Sequence, residues 1–256
     1  MDWGMETPAN IFSLFLESLG GRGSRFSEQF ADSIVFDTPI TGKAKGREQA
    51  EDALDRLVQW FRGHNARLEY GRMISGDAGY TAGEGKAFLQ LDGWDVGLPL
   101  AVAMDLSQQK LTGFRLYHTL WPVKHAHTLR GPLFEAERAT LPKDVAAYHL
   151  ALENGEAASA AQLFESDGTV REPSGGLSGG PESPLSRFFE WAFQAGGVSL
   201  HYHRLVDSGT HVAAEYTCYR WANKEIPPQA GMEFWDRSES GLFRAVRIYD
   251  DVEQPS

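Results

Sequence analysis

Residues 164–173 read Phe-Glu-Ser-Asp-Gly-Thr-Val-Arg-Glu-Pro, and residues 30–39 read Phe-Ala-Asp-Ser-Ile-Val-Phe-Asp-Thr-Pro. The two stretches align without a gap at an offset of 134, since 164 − 30 and 173 − 39 give the same value. Further out, Arg-Leu-Tyr-His at 115–118 matches Arg-Ile-Tyr-Asp at 247–250, at an offset of 132 (247 − 115). Solenoid repeats have periods of roughly 20–50 residues, so this longer spacing indicates a duplicated domain.

The bulk composition fits two globular domains of ordinary size. The chain has 256 residues, of which 42% are hydrophobic and 23% are charged, as is usual for globular proteins. Its formal net charge of −11 repels phosphate backbones and anionic lipid surfaces. We therefore expect neither nucleic acid nor a membrane as a partner.

The cysteine count and the first residues bear on the compartment. Cys218 is the only cysteine, so no internal disulfide can form and an oxidising compartment is not implied. The first six residues lack the basic region of a signal peptide, and the apolar stretch at 11–16 is too short for a signal core or a membrane span. A cytoplasmic location is predicted.

Within each copy, helix-like segments precede strand-like segments. Apolar residues at 11–16 and at 50–61 follow a helical period, residues 157–164 and 182–195 are also predicted as helices, and residues 42–46 as a loop. β-like runs separated by glycine and aspartate turns fill the rest. This segregation predicts an α+β fold in which a curved antiparallel sheet packs against helices on one face. We predict domains over residues 1–124 and 142–256, joined by a linker over 125–141.

The chain resembles the NTF2-like (cystatin-like) superfamily and, within it, the SnoaL-like, polyketide cyclase-like group. The resemblance is carried by residues 148–156, 163–173 and 247–251, and it covers residues 140–256 well and 10–122 loosely. It implies two cone-like half-barrels, each able to hold a small, mostly apolar ligand. It also implies that the two copies pack sheet against sheet as an internal pseudo-dimer, in a monomer or a homodimer. Such a fold hosts several reactions and does not fix one.

Glu172 is the first candidate for catalysis. The ketosteroid isomerases within this superfamily use a carboxylate immediately before a proline as general base, and the resemblance implies this role for Glu172 before Pro173. Such a carboxylate is a useful base when its surroundings raise its pKa toward the working pH. The alternative is an exposed acid paired with Arg171. In the first copy Thr38 occupies the matching position and Asp37 lies one residue earlier, on the other strand face, so we expect no equivalent base there.

The last strand supplies the other catalytic candidates. Arg247 and Tyr249 share one face, and Asp250 lies on the other. We predict that Tyr249 and Asp250 act with Glu172, and that Tyr249, Tyr216 or a histidine in the pocket donates to a developing oxyanion. The alternative is that Arg247 and Tyr249 form a structural pair, because the first copy repeats them.

Metal and cofactor sites are not predicted. His201 and His203 share a strand face, but a catalytic zinc normally takes three protein ligands and no third partner is indicated by local spacing. Lining a pocket, or exposure to solvent, is the expected role of both. The glycine run at 175–180 fails the dinucleotide-binding spacing and has no parallel βαβ context.

Aromatic residues of the second copy are numerous enough to line a pocket, although core packing explains most aromatic residues equally well. The predicted ligand-binding residues are Trp191, His201, His203, Tyr216, Trp221, Trp235 and Arg247.

Two functions are compatible with these residues. The first is a small-molecule enzyme of the cyclase, isomerase or dehydratase type that uses acid/base residues and no cofactor on a small hydrophobic ligand. The second is a non-catalytic ligand-binding or scaffolding protein, which the loss of the acid in the first copy favours.

Overall fold

A computed structural model describes residues 7–21, 25–76, 79–135 and 138–252. Residues 1–6, on which the cytoplasmic prediction partly depends, lie outside these ranges. The chain divides into two compact units, Met1–His125 and Ala126–Ser256. Residues 126–141, which we predict as linker, are grouped with the second unit, where Thr128 N–H donates to Asp251 Oδ2 at 2.7 Å.

The N-terminal unit opens with a capped helix. The side-chain oxygen of Thr7 accepts the backbone N–H of Asn10 at 3.2 Å, and Pro8 occupies the first turn, where the helix needs no backbone donor. After a 3-10 turn at Ser27–Gln29 the chain enters the sheet. The helices and strands are α1 (Pro8–Leu19), β1 (Phe30–Thr38), β2 (Gly42–Lys45), α2 (Arg47–Gly63), β3 (Arg67–Ser75), β4 (Tyr80–Leu91), β5 (Trp94–Ser107), β6 (Lys110–Tyr117) and α3 (Trp121–Lys124).

The C-terminal unit repeats this order. Its first helix ends at Gly155, whose φ of 69° is a left-handed conformation that glycine adopts without strain. The elements are α4 (Lys143–Asn154), α5 (Ala157–Ala161), β7 (Phe164–Arg171), β8 (Leu177–Gly179), α6 (Leu185–Ala192), β9 (Val198–Asp207), β10 (His211–Trp221), β11 (Lys224–Arg237) and β12 (Phe243–Tyr249).

Each unit contains one six-stranded sheet, and the two sheets have the same strand order. The orders are β2-β1-β6-β5-β4-β3 and β8-β7-β12-β11-β10-β9. The predicted α+β class and the duplication are therefore confirmed. The expectation of a purely antiparallel sheet is wrong for one strand pair in each unit, because β1 runs parallel to β6 and β7 runs parallel to β12. These partners lie far apart in the chain, so local patterns do not reveal their direction.

Helices pack on one face of each sheet and enclose the core. In the N-terminal unit this core is rich in phenylalanine, with ring centres of Phe15 and Phe114 4.6 Å apart and of Phe36 and Phe114 5.0 Å apart. In the C-terminal unit, Tyr148 from α4 and Phe189 from α6 are buried against the sheet. Burial of this aromatic area is the main stabilising contribution to each core.

Three local predictions need correction. The predicted loop at 42–46 contains β2, whose residues pair with the end of β1. The predicted helix at 157–164 ends at Ala161 and Phe164 already belongs to β7, while the predicted helix at 182–195 spans only Leu185–Ala192. In both helices, apolar residues that fit a helical period continue beyond the helix because the adjoining segments also contribute to the core.

Candidate functional site

Ionisable side chains lie among apolar ones on the helix-facing side of the C-terminal sheet. One row of directly opposed residues across this face consists of Val170, Val246, Trp235 and Val212, all fully buried. The next row consists of Ile248, Glu233 and Ala214. Glu172 directly follows Arg171, the last residue of β7 that pairs with β12. Neighbouring strands lie about 4.8 Å apart, so the end of β7 and Glu233 on β11, two strands away, are separated by about 10 Å across the sheet.

Glu172 is half-buried at the end of β7. Burial disfavours its charged form and raises its pKa above the ordinary value of 4.5. Its backbone N–H donates to Gly176 O at 2.8 Å, which closes the turn after the strand. A Cβ at position 176 would lie 2.9 Å from Glu172 Oε2, so the glycine leaves room for the carboxylate. These properties suit a base that is partly removed from water.

Glu233 occupies a much drier position. It is 2% exposed, and Tyr202 Oη donates to Glu233 Oε2 at 2.5 Å. Burial raises the pKa of Glu233 from 4.5 to about 8; the negative charge of Asp250 acts in the same direction, and the Tyr202 hydrogen bond acts against it. At pH 7 the Glu233 carboxyl therefore retains its proton and can act as an acid.

A second tyrosine–carboxylate pair lies on the same face. Tyr216 Oη donates to Asp250 Oδ2 at 2.5 Å, and Val252 N–H donates to Asp250 Oδ1 at 3.3 Å. Burial raises the pKa of Asp250 to about 6, with these hydrogen bonds opposing the shift. At neutral pH Asp250 is mainly ionised while Glu233 is mainly protonated.

Gly231 allows the Tyr216–Asp250 pair to form. A Cβ at this position would lie 2.3 Å from Tyr216 Cζ and 2.5 Å from Tyr216 Oη. The tyrosine ring therefore lies directly over the glycine.

We expect Gly231→Ala to lower the free energy of unfolding by about 1–3 kcal/mol, because overpacking displaces the Tyr216 ring. Urea denaturation at pH 7 measures this change. Gly131→Ala is the matched control, since a Cβ at 131 meets no atom within 4 Å. Equal unfolding midpoints for the two variants would contradict the contact.

Arg247 and Tyr249 lie on the opposite face of the sheet from Glu233. Both terminal nitrogens of Arg247 donate to Asp236, at 2.8 and 2.9 Å. The Arg171 guanidinium lies 4.5 Å from the centre of the Tyr249 ring. The structure thus places Tyr249 and Arg171 together, on the face that does not carry Glu233.

The two predicted histidines lie near the free edge of the sheet. The rings of His201 and His203 stack at 4.6 Å, and His203 Nε2 is 2.8 Å from Thr217 Oγ1. His201 lines a cavity of about 480 Å³, a volume typical of small-ligand sites. Glu172 does not line it. The lining residues are Arg138, Ala139, Leu141, His149, Glu153, Ser199, Leu200, His201, Tyr202 and Tyr219.

The predicted aromatic residues are distributed unequally. Tyr216 and Trp235 are buried in the interior and lie on the face that carries Glu233. Trp221 is partly buried against the same core, whereas Trp191 on α6 is 50% exposed. Only Tyr216 and Trp235 adjoin the carboxyl cluster, which consists of Glu233 and Asp250 with their partners Tyr202 and Tyr216.

The N-terminal unit has no such cluster at the matching positions. Val102 lies opposite Leu116 where Glu233 lies opposite Ile248, and Met104 lies opposite Phe114 where Trp235 lies opposite Val246. Gly85 and His118 stand where the second copy has Tyr216 and Asp250, and Thr38 stands where it has Glu172. The fold forms with these residues, so it does not require the carboxyl groups of the second copy.

Two members of the carboxyl cluster, Glu233 and Tyr202, are not among the residues predicted from the sequence. Glu233 is a lone charged residue in the otherwise apolar run at 230–235, and that was the available signal. Tyr202 stands between His201 and His203, and these two predicted site residues lie on the other face of the strand. The pairing of Tyr202 with Glu233 joins residues 31 positions apart and has no local signature.

Other classes of site find little support in the described ranges. There, no three histidine, cysteine, aspartate or glutamate side chains are grouped so as to hold a metal ion. Burial raises the pKa of the Cys218 thiol to about 12, so it stays protonated and unreactive. None of the helices in the described part of the chain has the length and apolar character needed to cross a bilayer.

No family model matches the chain, and no curated protein matches it. Several solved structures do. An NTF2-like protein of unknown function from Cytophaga hutchinsonii is 18% identical, with a TM-score of 0.37, and the match covers 44% of this chain and 98% of that one. The epoxide hydrolase/cyclase-like enzyme SalBIII, which has a role in pyran ring formation in the polyether salinomycin, is 16% identical, with a TM-score of 0.36. That match covers 42% of this chain and 87% of SalBIII.

A protein from Catenulispora acidiphila with a ketosteroid isomerase-like fold, solved with trimethylamine, is 16% identical, with a TM-score of 0.34 and coverages of 44% and 88%. Each of these matches covers less than half of this chain. The prediction of two tandem α+β domains is confirmed by the strand order and the cores described above.

Proposed function

We propose that the C-terminal domain binds a small, mainly apolar molecule and catalyses proton transfer on it, as in an isomerase, cyclase or dehydratase. Glu172 is the base and Glu233 is the acid. Tyr202 positions Glu233, and the Tyr216–Asp250 pair supplies a fixed negative charge that helps to keep Glu233 protonated.

One observation carries this proposal: two carboxyl groups with raised pKa, in unequal surroundings, lie at the end of β7 and on β11, two strands apart in one sheet. Acid and base roles are commonly assigned to pairs of groups whose surroundings differ in this way. Glu172 is half in contact with water and can lose its proton, whereas Glu233 is dry and keeps its proton to about pH 8.

The proton transfer can be written with these two groups alone. The Glu172 carboxylate removes a proton from a carbon atom next to an electron-withdrawing group of the ligand. The electron pair of the broken C–H bond moves onto that group, and the Glu233 carboxyl donates a hydrogen bond or its proton to the charge that develops. Glu172 then returns a proton to carbon and the ligand oxygen gives back any proton that it took from Glu233, which restores both carboxyl groups.

The difference between the two domains supports a function for the cluster. A buried carboxyl group costs stability unless its partners compensate for lost hydration. The first copy avoids this cost with Val102 at the position of Glu233 and keeps the same fold. Retention of Glu233, Asp250 and their tyrosines in the second copy is thus better explained by chemistry than by packing.

The experiment uses 1-tetralone, a bicyclic ketone with exchangeable protons beside its carbonyl. In D2O near neutral pH, NMR follows replacement of these protons by deuterium. We expect the full-length protein to accelerate exchange above the buffer rate, and Glu172→Gln to remove the acceleration. Absence of acceleration by the wild-type protein would contradict the proposal.

A second candidate function is passive binding of a ligand. The cavity of about 480 Å³ beside β9 favours it, because its lining includes Leu200 and Tyr219 but not Glu172. This alternative predicts that 1-tetralone raises the melting temperature without exchanging its protons. It also predicts that Leu200→Ala abolishes the shift and that Glu172→Gln preserves it.

A further inference from the structure

Trp235 contains a buried donor that the described residues do not satisfy. The residue is 0% exposed, and its indole Nε1 has no hydrogen-bond partner within residues 7–21, 25–76, 79–135 and 138–252. An unpaired buried donor is costly, and the large majority of buried polar groups in proteins are paired. This N–H group therefore requires an explanation.

The position of the indole connects it with the acid. Trp235 follows Glu233 by two residues on β11, so both side chains lie on the helix-facing side. The Trp235 ring centre is 5.9 Å from that of Tyr202, whose hydroxyl donates to Glu233. The indole thus packs against the residue that positions the proposed acid.

Packing alone does not call for an indole at this place. In the N-terminal domain the matching position is Met104, which is also 0% exposed and carries no N–H group. An apolar side chain therefore fills the equivalent site without leaving a donor unpaired. The N–H is the property of Trp235 that the core does not use.

We propose that Trp235 Nε1 donates a hydrogen bond to an oxygen atom of the ligand, beside Glu233. The ligand class is accordingly a carbonyl compound, such as a ketone, whose oxygen receives the indole N–H and the Glu233 carboxyl. Trp235 is then a specificity residue that distinguishes carbonyl compounds from hydrocarbons of the same shape. This inference rests on the proposed function for the location of the ligand.

The test compares 1-tetralone with tetralin, which has the same ring skeleton but lacks the oxygen. Equilibrium dialysis gives both dissociation constants for the wild-type protein and for Trp235→Phe. We expect the preference for the ketone, taken as the ratio of the two constants, to fall by roughly 2- to 10-fold in the variant. A cavity left by the smaller ring affects both compounds similarly, so the ratio isolates the N–H group.

Two further variants keep the test decisive. Trp235→Met installs the residue that the N-terminal domain already accommodates, and it replaces Trp235→Phe if thermal melting shows that the latter is unfolded. Trp60→Phe makes the same chemical change in the N-terminal domain and is expected to leave the ratio unchanged.

An unchanged ratio in both Trp235 variants would overturn the inference and assign the N–H to a buried water molecule. A wild-type protein that binds neither compound at its solubility limit overturns it as well. Failure of the proposed function is a separate result: the ratio responds to Trp235, but 1-tetralone shows no catalysed exchange. If 1-tetralone exchange is catalysed but the ratio of dissociation constants is the same in the wild-type protein and the Trp235 variants, only the inference about Trp235 is overturned.

Discussion

Glu172→Gln is expected to lower the catalysed exchange of 1-tetralone by about 10²- to 10⁴-fold, the usual contribution of a positioned general base. Glutamine has nearly the same shape as glutamate, but its amide does not accept a proton at neutral pH. Glu172 is half-buried at a strand end, so we expect the change in stability to stay within roughly 1 kcal/mol. A large loss of rate in a folded protein therefore reports on the chemistry.

Glu165→Gln is the matched control for this variant. Glu165 lies on β7, which leads to Glu172, and its carboxylate accepts hydrogen bonds from Ser238 and Ser240, at 2.5 and 2.6 Å, in the turn between β11 and β12. Exchange by this control should equal that of the wild-type protein. If Glu172→Gln retained half of the wild-type rate, Glu172 would not be the base.

The pH dependence of the same exchange gives a second view of both carboxyl groups. Because the pKa of Glu172 is raised by burial, the rate should rise at a pH above 4.5, as this group loses its proton. The rate should fall again near pH 8, as Glu233 loses its proton. Glu233→Gln keeps a neutral donor at all pH values, so the fall near pH 8 should disappear. If the exchange rate of this variant still fell near pH 8, a group other than Glu233 would cause the decrease.

The second large effect concerns stability. The pKa of Glu233 is about 8 in the folded protein and near 4.5 when unfolded, so the folded state binds the proton more tightly. The stabilisation of the folded state by proton binding at Glu233 is fully present below pH 4.5 and is lost as the pH rises to about 8. One pKa unit corresponds to about 1.4 kcal/mol, so the loss amounts to roughly 5 kcal/mol over this window. Asp250, with its pKa raised to about 6, changes stability in the same direction at lower pH.

Urea denaturation at several pH values between 5 and 9 measures this effect. The free energy of unfolding of the wild-type protein should decrease relative to that of Glu233→Gln as the pH rises. Glu225→Gln changes an exposed glutamate on the same strand and should follow the wild-type curve. Parallel curves for the wild-type protein and Glu233→Gln would show that Glu233 has an ordinary pKa.

The fold could be predicted from the sequence because its information is local and occurs twice. The match between residues 30–39 and 164–173 identified the duplicated strand, and the apolar period at 50–61 identified α2. The parallel pairing of β7 with β12 could not be predicted, since it depends on contacts between distant segments. Glu172 could be singled out because its position before Pro173 lies within the motif that carries the resemblance.

The rest of the site depends on which face each side chain occupies and on what lies opposite. Alternation correctly separates Tyr249 from Asp250, but the sequence does not say which of the two faces is the interior. The structure places Asp250 with Tyr216 on the helix-facing side of the sheet, and Tyr249, also buried, with Arg171 on the opposite face. Glu233 and Tyr202 could not be paired in advance, because β9 and β11 are separated by β10 and their contact crosses that strand.

The most direct measurement is the titration of Glu233 by NMR in protein labelled with ¹³C at the glutamate carboxyl carbons, with Glu233→Gln identifying its signal. The structure predicts a midpoint near 8, so that the group is protonated at neutral pH. A midpoint near 4.5 would mean that the interior holds an ordinary carboxylate, and the acid on which the proposed chemistry depends would not exist.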